Sequence, residues 1–188
     1  MRAVRVLGLP GSVAGDDPWL DKYLLSADPW CLRGMVELLA GQLPSDTEVL
    51  AGIELGGVPL AAAVALHTGL PWAVVRRAGR GLAGTPVDGR RTVLVKDMAR
   101  SGSAITAAAG LLRANGAVVT HAVVGLNWNP ELAELLRPVG IHPLTALTLP
   151  ELREAWRSAA TDAAAVPPSV RPTATAARAA WSPVSTSG

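Results

Sequence analysis

Short apolar runs rich in β-branched residues alternate with longer stretches of alanine and leucine through the middle of the chain. The runs "EVLAGI" (48–53), "WAVVR" (72–76), "TVLVK" (92–96) and "THAVVGLN" (120–127) are apolar at successive positions, and "IHPLTAL" (141–147) is a weaker fifth. Unbroken apolarity over so few residues is the pattern of a strand covered on both faces. Helical spacing predicts helices near 29–42, 57–69, 102–115 and 130–137. Strands alternating with helices predict an α/β domain, a doubly wound, mainly parallel sheet with helices on both faces. Such sheets bind ligands beyond the carboxyl ends of their strands, where the strand order reverses. The residues that follow each strand are therefore the candidates for chemistry.

Three of those segments are "ELGG" (54–57), "RRAGRGLAGTPVDG" (76–89) and "DMARSGSA" (97–104). "SGSA" opens a predicted helix, whose first amides are free and carry about half a positive charge, and Gly102 permits close approach of a phosphate. An ordinary serine cap explains the same residues equally well. "ELGG" is either a second phosphate cradle or a turn that merely needs glycine. Gly79, Gly81 and Gly84 suit a mobile lid over 78–88, and a plain loop as well. Trp128, between Asn127 and Asn129, either lines a pocket at the sheet's ligand end or serves as helix entry before Pro130. His67, His121 and His142 form no metal-ligand motif, so no protein-held metal is expected.

Composition narrows the class. The chain has 188 residues, 49% apolar and 17% charged, with a net charge of +2. That length suits one domain with a real core. No apolar run reaches the 18 or so residues of a membrane span, and the start lacks a signal-peptide pattern, so a cytoplasmic protein that touches no membrane is expected. The lone Cys31 makes no internal disulfide and reads as a small core residue. Fifteen arginines and two lysines are scattered without a basic stripe, which argues against nucleic acid. Arg76, Arg77, Arg80, Arg90 and Arg91 do crowd one stretch, either as a solvated loop or as a phosphate site. From about residue 161 to 188 alanine, proline, serine and threonine dominate, and a poorly ordered tail is expected after a domain of 1–160.

Taken in order, the segments resemble a known family. "AGIELGGVPLAAAVALHTGLPWAVVRR" and "RTVLVKDMARSGSAITAAAGLLRANGA" are similar to the type I phosphoribosyltransferases, and within them to the orotate phosphoribosyltransferase branch. "YLLSADPWCLRGMVELLAGQL" is similar to that branch's approach to its first core helix, so the likeness runs from about residue 20 to 147. It implies an enzyme, a pentosyltransferase, that takes 5-phosphoribosyl 1-pyrophosphate (PRPP) with Mg²⁺ carried on the pyrophosphate. The phosphoribosyl group passes to a nitrogen heterocycle and pyrophosphate is released. It further implies a small N-terminal hood over 1–28 and a homodimer. Ser101, Gly102, Ser103, Ala104 and Ile105 would hold the 5-phosphate through backbone amides. Glu54, Leu55, Gly56 and Gly57 would hold the pyrophosphate, often through a strained peptide bond in that family. Arg76 and Arg77 match an arginine-lysine pair, and Arg80 falls where the orotate enzymes carry a catalytic lysine on a loop that serves the neighbouring subunit. Asp97 would bind the ribose hydroxyls and act in catalysis.

The pattern breaks at the third strand, where the family places two adjacent acids and this chain has Lys96 before Asp97. One lost carboxylate-hydroxyl bond is worth about 1.5 to 3 kcal/mol. Three readings stay open: a weakened site, altered sugar recognition, or loss of activity in a regulator or ligand-binding protein. Leu82 and Ala83 stand near a position where the orotate branch has histidine, and Asp16, Asp17 and Asp21 in the hood would repel the carboxylate of orotate. A different heterocycle, in a specialised biosynthetic pathway, is the expectation from those acids.

Overall fold

The computed structural model describes residues 26–77 and 81–165. Its elements in chain order are α1 (Pro29–Ala40), β1 (Val49–Ile53), α2 (Gly57–Thr68), β2 (Trp72–Val75), β3 (Leu82–Gly84), β4 (Thr92–Ala99), α3 (Ser103–Ala114), β5 (His121–Asn127), α4 (Leu132–Leu136), β6 (His142–Thr148) and α5 (Leu149–Ala165). The strands form one sheet in the order β3-β2-β1-β4-β5-β6. All neighbours run parallel except β3, which pairs antiparallel with β2 through Val75 to Leu82, Val74 to Ala83 and Ala73 to Gly84.

Alternate residues of the sheet feed two cores. Val49, Ala51, Leu94 and Val124 face Ile105, Ala109 and Leu112 of α3 and Leu132 and Leu136 of α4. Leu50, Val93, Val95 and Val123 face Val36 and Leu39 of α1 and Leu60, Ala61 and Val64 of α2. Every residue of β1 is buried, as its unbroken apolar run requires. Leu152 of α5 closes a third cluster on Leu126, with Met98 and Trp128 packed against it.

Local chemistry explains the helix ends. Asp28 caps α1 by accepting from Trp30 N at 3.0 Å and Cys31 N at 2.8 Å, and Pro29 needs no such partner. Burial, with the nearby Asp28 carboxylate, pushes the Cys31 thiol up to about 12, so this residue is an inert part of the core. Gly69 ends α2 at φ 76°.

The structure departs from expectation at three places. Residues 82–84, expected in a loop, are an edge strand; a Cβ on Gly84 would stand 2.9 Å from Trp72 O, so this glycine serves sheet pairing. Val87 beyond it is 3% exposed. The third predicted strand continues through Asp97 to Ala99 rather than ending at Lys96. Helix α5 follows β6 from Leu149 to Ala165, where no helix was expected. The hood up to residue 25, Arg80 and the chain from 166 lie outside the described residues.

Candidate functional site

The chain leaves β1 for β2 and β3 on one side, then crosses to β4, β5 and β6 on the other. The order reverses between β1 and β4, and there the carboxyl ends of two neighbouring strands open a crevice. Three of the four predicted site segments meet at this point, and the fourth, Arg76 and Arg77, follows β2 beside it.

The turn Glu54-Leu55-Gly56-Gly57 joins β1 to α2, and the peptide between Glu54 and Leu55 is cis. Both glycines are demanded by close approach. A Cβ on Gly57 would lie 2.4 Å from Val95 O of β4, and one on Gly56 would lie 2.0 Å from Asp97 Oδ2. Arg77 ties β2 to this turn: its backbone N–H donates to Glu54 Oε2 at 2.7 Å and its Nε to Glu54 O at 3.0 Å. Arg76 and Arg77 are both exposed, so two guanidinium groups stand in solvent beside the crevice.

Lys96 and Asp97 lie inside β4, with side chains 8% and 11% exposed, and the ammonium is ion-paired with Asp97 Oδ1. The stem of Lys96 is thus buried and its charge is spent on the neighbouring carboxylate. Gly125 of β5 makes room on the other side, since a Cβ there would stand 2.7 Å from Asp97 O. Asp97 is fixed from three directions, by an ammonium, by the Gly56 turn and by the β5 backbone.

Beyond β4, Gly102 takes φ 72° and acts as cap residue of α3 without a side-chain cap bond. Leu132 and Leu136 pack beneath it, at 3.4 and 3.1 Å from where its Cβ would be. Ser101 Oγ and Ser103 Oγ share a hydrogen bond of 2.9 Å, and Ser101 Oγ lies 3.4 Å from Ser103 N. Ile105 is in the core by its side chain, so only its amide belongs to the loop. The opening amides of this twelve-residue helix have no partners within the helix, and Ser101, Ser103 and Ala104 are exposed. A tetrahedral anion at this terminus meets convergent donors and the positive end of the helix dipole.

One feature of the crevice was not singled out in the sequence. The Arg100 guanidinium lies 4.4 Å from the centroid of the Trp128 ring. The two chain ends beneath it are pinned together, Trp128 N to Ala99 O at 2.9 Å and Asn129 Nδ2 to Arg100 O at 2.9 Å, while Asn127 Oδ1 accepts from Asn129 N at 3.0 Å.

A chain from Nocardioides sp. named orotate phosphoribosyltransferase is 36% identical over 148 residues, which cover 76% of this chain and 83% of that one. This chain belongs to the orotate phosphoribosyltransferase family. That makes it a type I phosphoribosyltransferase, in a family of pentosyltransferases, with the fold its sequence predicted. The solved orotate phosphoribosyltransferase of Aeropyrum pernix is 27% identical, with a TM-score of 0.70 over 81% of this chain and 97% of its own. The Mycobacterium tuberculosis H37Rv orotate phosphoribosyltransferase, solved in complex with PRPP, has the same fold at 21% identity and a TM-score of 0.70 over 80% of this chain and 91% of its own. No family model matches the chain.

In the structure Lys96 and Asp97 form a nearly buried ion pair inside β4. Among the described residues no cluster of three His, Cys, Asp or Glu side chains is arranged to hold a metal, and no helix is long and apolar enough to cross a membrane. The two carboxylates at the crevice are each engaged, Asp97 with the Lys96 ammonium and Glu54 with the Arg77 N–H, a set that suits a divalent ion carried on substrate oxygens.

Proposed function

We propose that this chain transfers the phosphoribosyl group of PRPP to a ring nitrogen of a heterocycle, orotate first among the candidates, with release of pyrophosphate. The observation that carries the proposal is the α3 opening at 101–105, whose cap residue Gly102 has no side chain and where Ser101 Oγ accepts only the Ser103 N–H, at 3.4 Å, next to Asp97 at the point of strand-order reversal. The names of the relatives favour orotate. The hood acids Asp16, Asp17 and Asp21, which argue for another heterocycle, lie outside the described residues.

In this reading the amides of Ser101, Gly102, Ser103, Ala104 and Ile105 bind the 5-phosphate. The backbone of Glu54, Leu55, Gly56 and Gly57 holds the pyrophosphate, with Arg76 and Arg77 as its cations. Asp97 accepts hydrogen bonds from the ribose hydroxyls and favours the positive sugar that forms as the C1–oxygen bond breaks. Lys96 acts through Asp97, as a positioning residue. The acceptor nitrogen gives up its proton and supplies the electron pair of the new bond to C1, and pyrophosphate leaves with the pair of the old one and takes up the proton. Charge grows on the leaving group, so fixed cations there lower the barrier, and Arg80, in a loop closing from a neighbouring subunit, adds one more and excludes water. Mg²⁺, when bound on the pyrophosphate, supplies further neutralisation of that charge.

A second reading, a regulator that binds PRPP without turnover, is favoured by the ion pair alone, because Lys96 occupies an oxygen of the one remaining acid. Pyrophosphate release, measured with PRPP, Mg²⁺ and a panel of orotate, other pyrimidines, purines and small aromatic acids, separates the two. The enzyme reading expects release with orotate. Tight calorimetric binding of PRPP with no release from any acceptor supports the regulator, and neither binding nor release sinks both.

A further inference from the structure

We infer that His121 and His142 together form a site for a transition-metal dication of the Zn²⁺ class, at the end of the sheet opposite the crevice. The inference is independent of the transfer reaction proposed above.

Sequence distance hides the pair, and the sheet makes it. His121 opens β5, His142 opens β6, and the two are direct partners in the parallel register. Side chains of partnered residues stand on the same face of a sheet. Here that face is the one covered by α1 and α2, because alternation places the two rings with Val123 and Leu144. The ring centroids are 5.5 Å apart, with the planes tilted by 39°. Two imidazoles on one tetrahedral zinc, with Zn–N bonds of about 2.0 Å, have their ring centroids roughly 5 Å apart. The observed separation is thus close to that of a chelate.

The surroundings suit a cation and leave it reachable. His142 is exposed and His121 half-buried. Thr120 Oγ1 lies 2.9 Å from His121 Nδ1. With the hydroxyl accepting from Nδ1–H, the lone pair of this ring is on Nε2, and an oxygen partner of this kind is what orients a ligating histidine in metal sites. Arg113, the cation that binds the carbonyl oxygens of Val119, Val139 and Gly140 beside these strands, reaches them from α3 on the other face. Imidazole is a ligand for Zn²⁺, Cu²⁺ and Ni²⁺ and a poor one for Mg²⁺, which takes oxygen. An Mg²⁺ carried on substrate oxygens at the crevice is therefore a different ion in a different place. Along the seven residues of β5 the two ends lie roughly 20 Å apart, at about 3.3 Å per residue. Two protein ligands leave the other positions to water, so the metal exchanges readily and serves as a clasp between β5 and the edge strand β6.

The test is calorimetric titration of Zn²⁺ into the full chain, carrying no purification tag and stripped of metal by chelator, together with thermal melts. The chain has three histidines, and His67 lies on α2, so each can be replaced in turn. Wild type is expected to take up one Zn²⁺ per chain and to melt at a higher temperature in its presence, by mass action on the folded state. Mg²⁺ at the same concentration does neither. His121→Gln and His142→Gln each lower Zn²⁺ affinity by more than about tenfold, the least that even an outer-shell change costs, whereas His67→Gln leaves it unchanged. Melts without metal confirm that each variant folds. With Cu²⁺ as the probe, the paramagnetic resonance spectrum shows coupling to two imidazole nitrogens in wild type and to one in either variant. Absence of Zn²⁺ uptake, uptake that survives both substitutions, or a loss matched by His67→Gln overturns the assignment.

Discussion

A lysine in a strand, 7% exposed and spent on the next residue's carboxylate, is a costly arrangement unless each charge answers the other. Side chains at successive strand positions point to opposite faces, so an amine at 96 reaches the carboxylate of 97 only by folding back along the strand. Removing it takes away the ammonium that answers the buried Asp97 carboxylate. Lys96→Met is expected to lower stability by about 3 kcal/mol, the usual cost of breaking such a pair from one side, read from urea unfolding. It should also raise the KM for PRPP more than that for the acceptor, because the carboxylate proposed to meet the ribose loses its anchor. A variant with native stability and native KM would show that the ammonium positions nothing. Gly56 tests the same carboxylate from the other side. Its φ of −69° suits alanine, so the 2.0 Å approach of a Cβ to Asp97 Oδ2 is the whole objection to Gly56→Ala. The expected outcome is a folded protein, destabilised by about 1 to 3 kcal/mol as Asp97 is displaced, with PRPP binding weakened in calorimetry.

At the scale of elements, α1 offers a clean pH test. Asp28 accepts from the backbone N–H of Cys31 and of Trp30, and these bonds hold its carboxyl below the usual value of 3.8. The folded state therefore binds this proton less readily than the unfolded chain. The cap's contribution is complete above pH 3.8 and disappears as pH falls through the lower folded value. Asp28→Asn should keep the cap at neutral pH and lose that acid dependence, as seen by comparing melting temperatures at neutral and acid pH; parallel acid losses in both proteins would refute it. The elements most legible in sequence were those with a local cause. The unbroken apolar runs of β1, β4 and β5 declare burial on both faces, and "SGSA" declares a helix start. Strand β3 has no such signal, since Leu82, Ala83 and Gly84 extend only because β2 offers an edge. Helix α5 did have one: Thr148 and Glu151 form a reciprocal cap, with Thr148 N and Oγ1 each donating to Glu151 Oε2 at 2.7 Å, the spacing "TLPE" announces. Lys96 on Asp97 and Arg100 on Trp128 were illegible for the opposite reason, because strand alternation and sequence distance both argue against contact until the sheet is assembled.

For the whole molecule, the crevice at the reversal of strand order brings together, from one chain, the turn after β1, Asp97 in β4 and the opening of α3, the segments proposed to hold the sugar phosphate. The family's loop cation, here Arg80, is proposed to come from the other subunit of a homodimer. This division of labour makes a prediction that no single-chain site shares. Arg80→Ala and Asp97→Asn should each be nearly inactive alone, the first lacking the loop cation for every site and the second lacking the ribose acid in its own. When the two are mixed and allowed to exchange subunits, each mixed dimer contains one site with Asp97 from one chain and Arg80 from the other, and one site with neither. Random exchange puts half the dimers in the mixed form, so activity should return to about a quarter of the wild-type value. Recovery to that level, dependent on time for exchange, supports both the dimer and the shared site. No recovery in a mixture proven to contain mixed dimers places Arg80 on the site of its own chain.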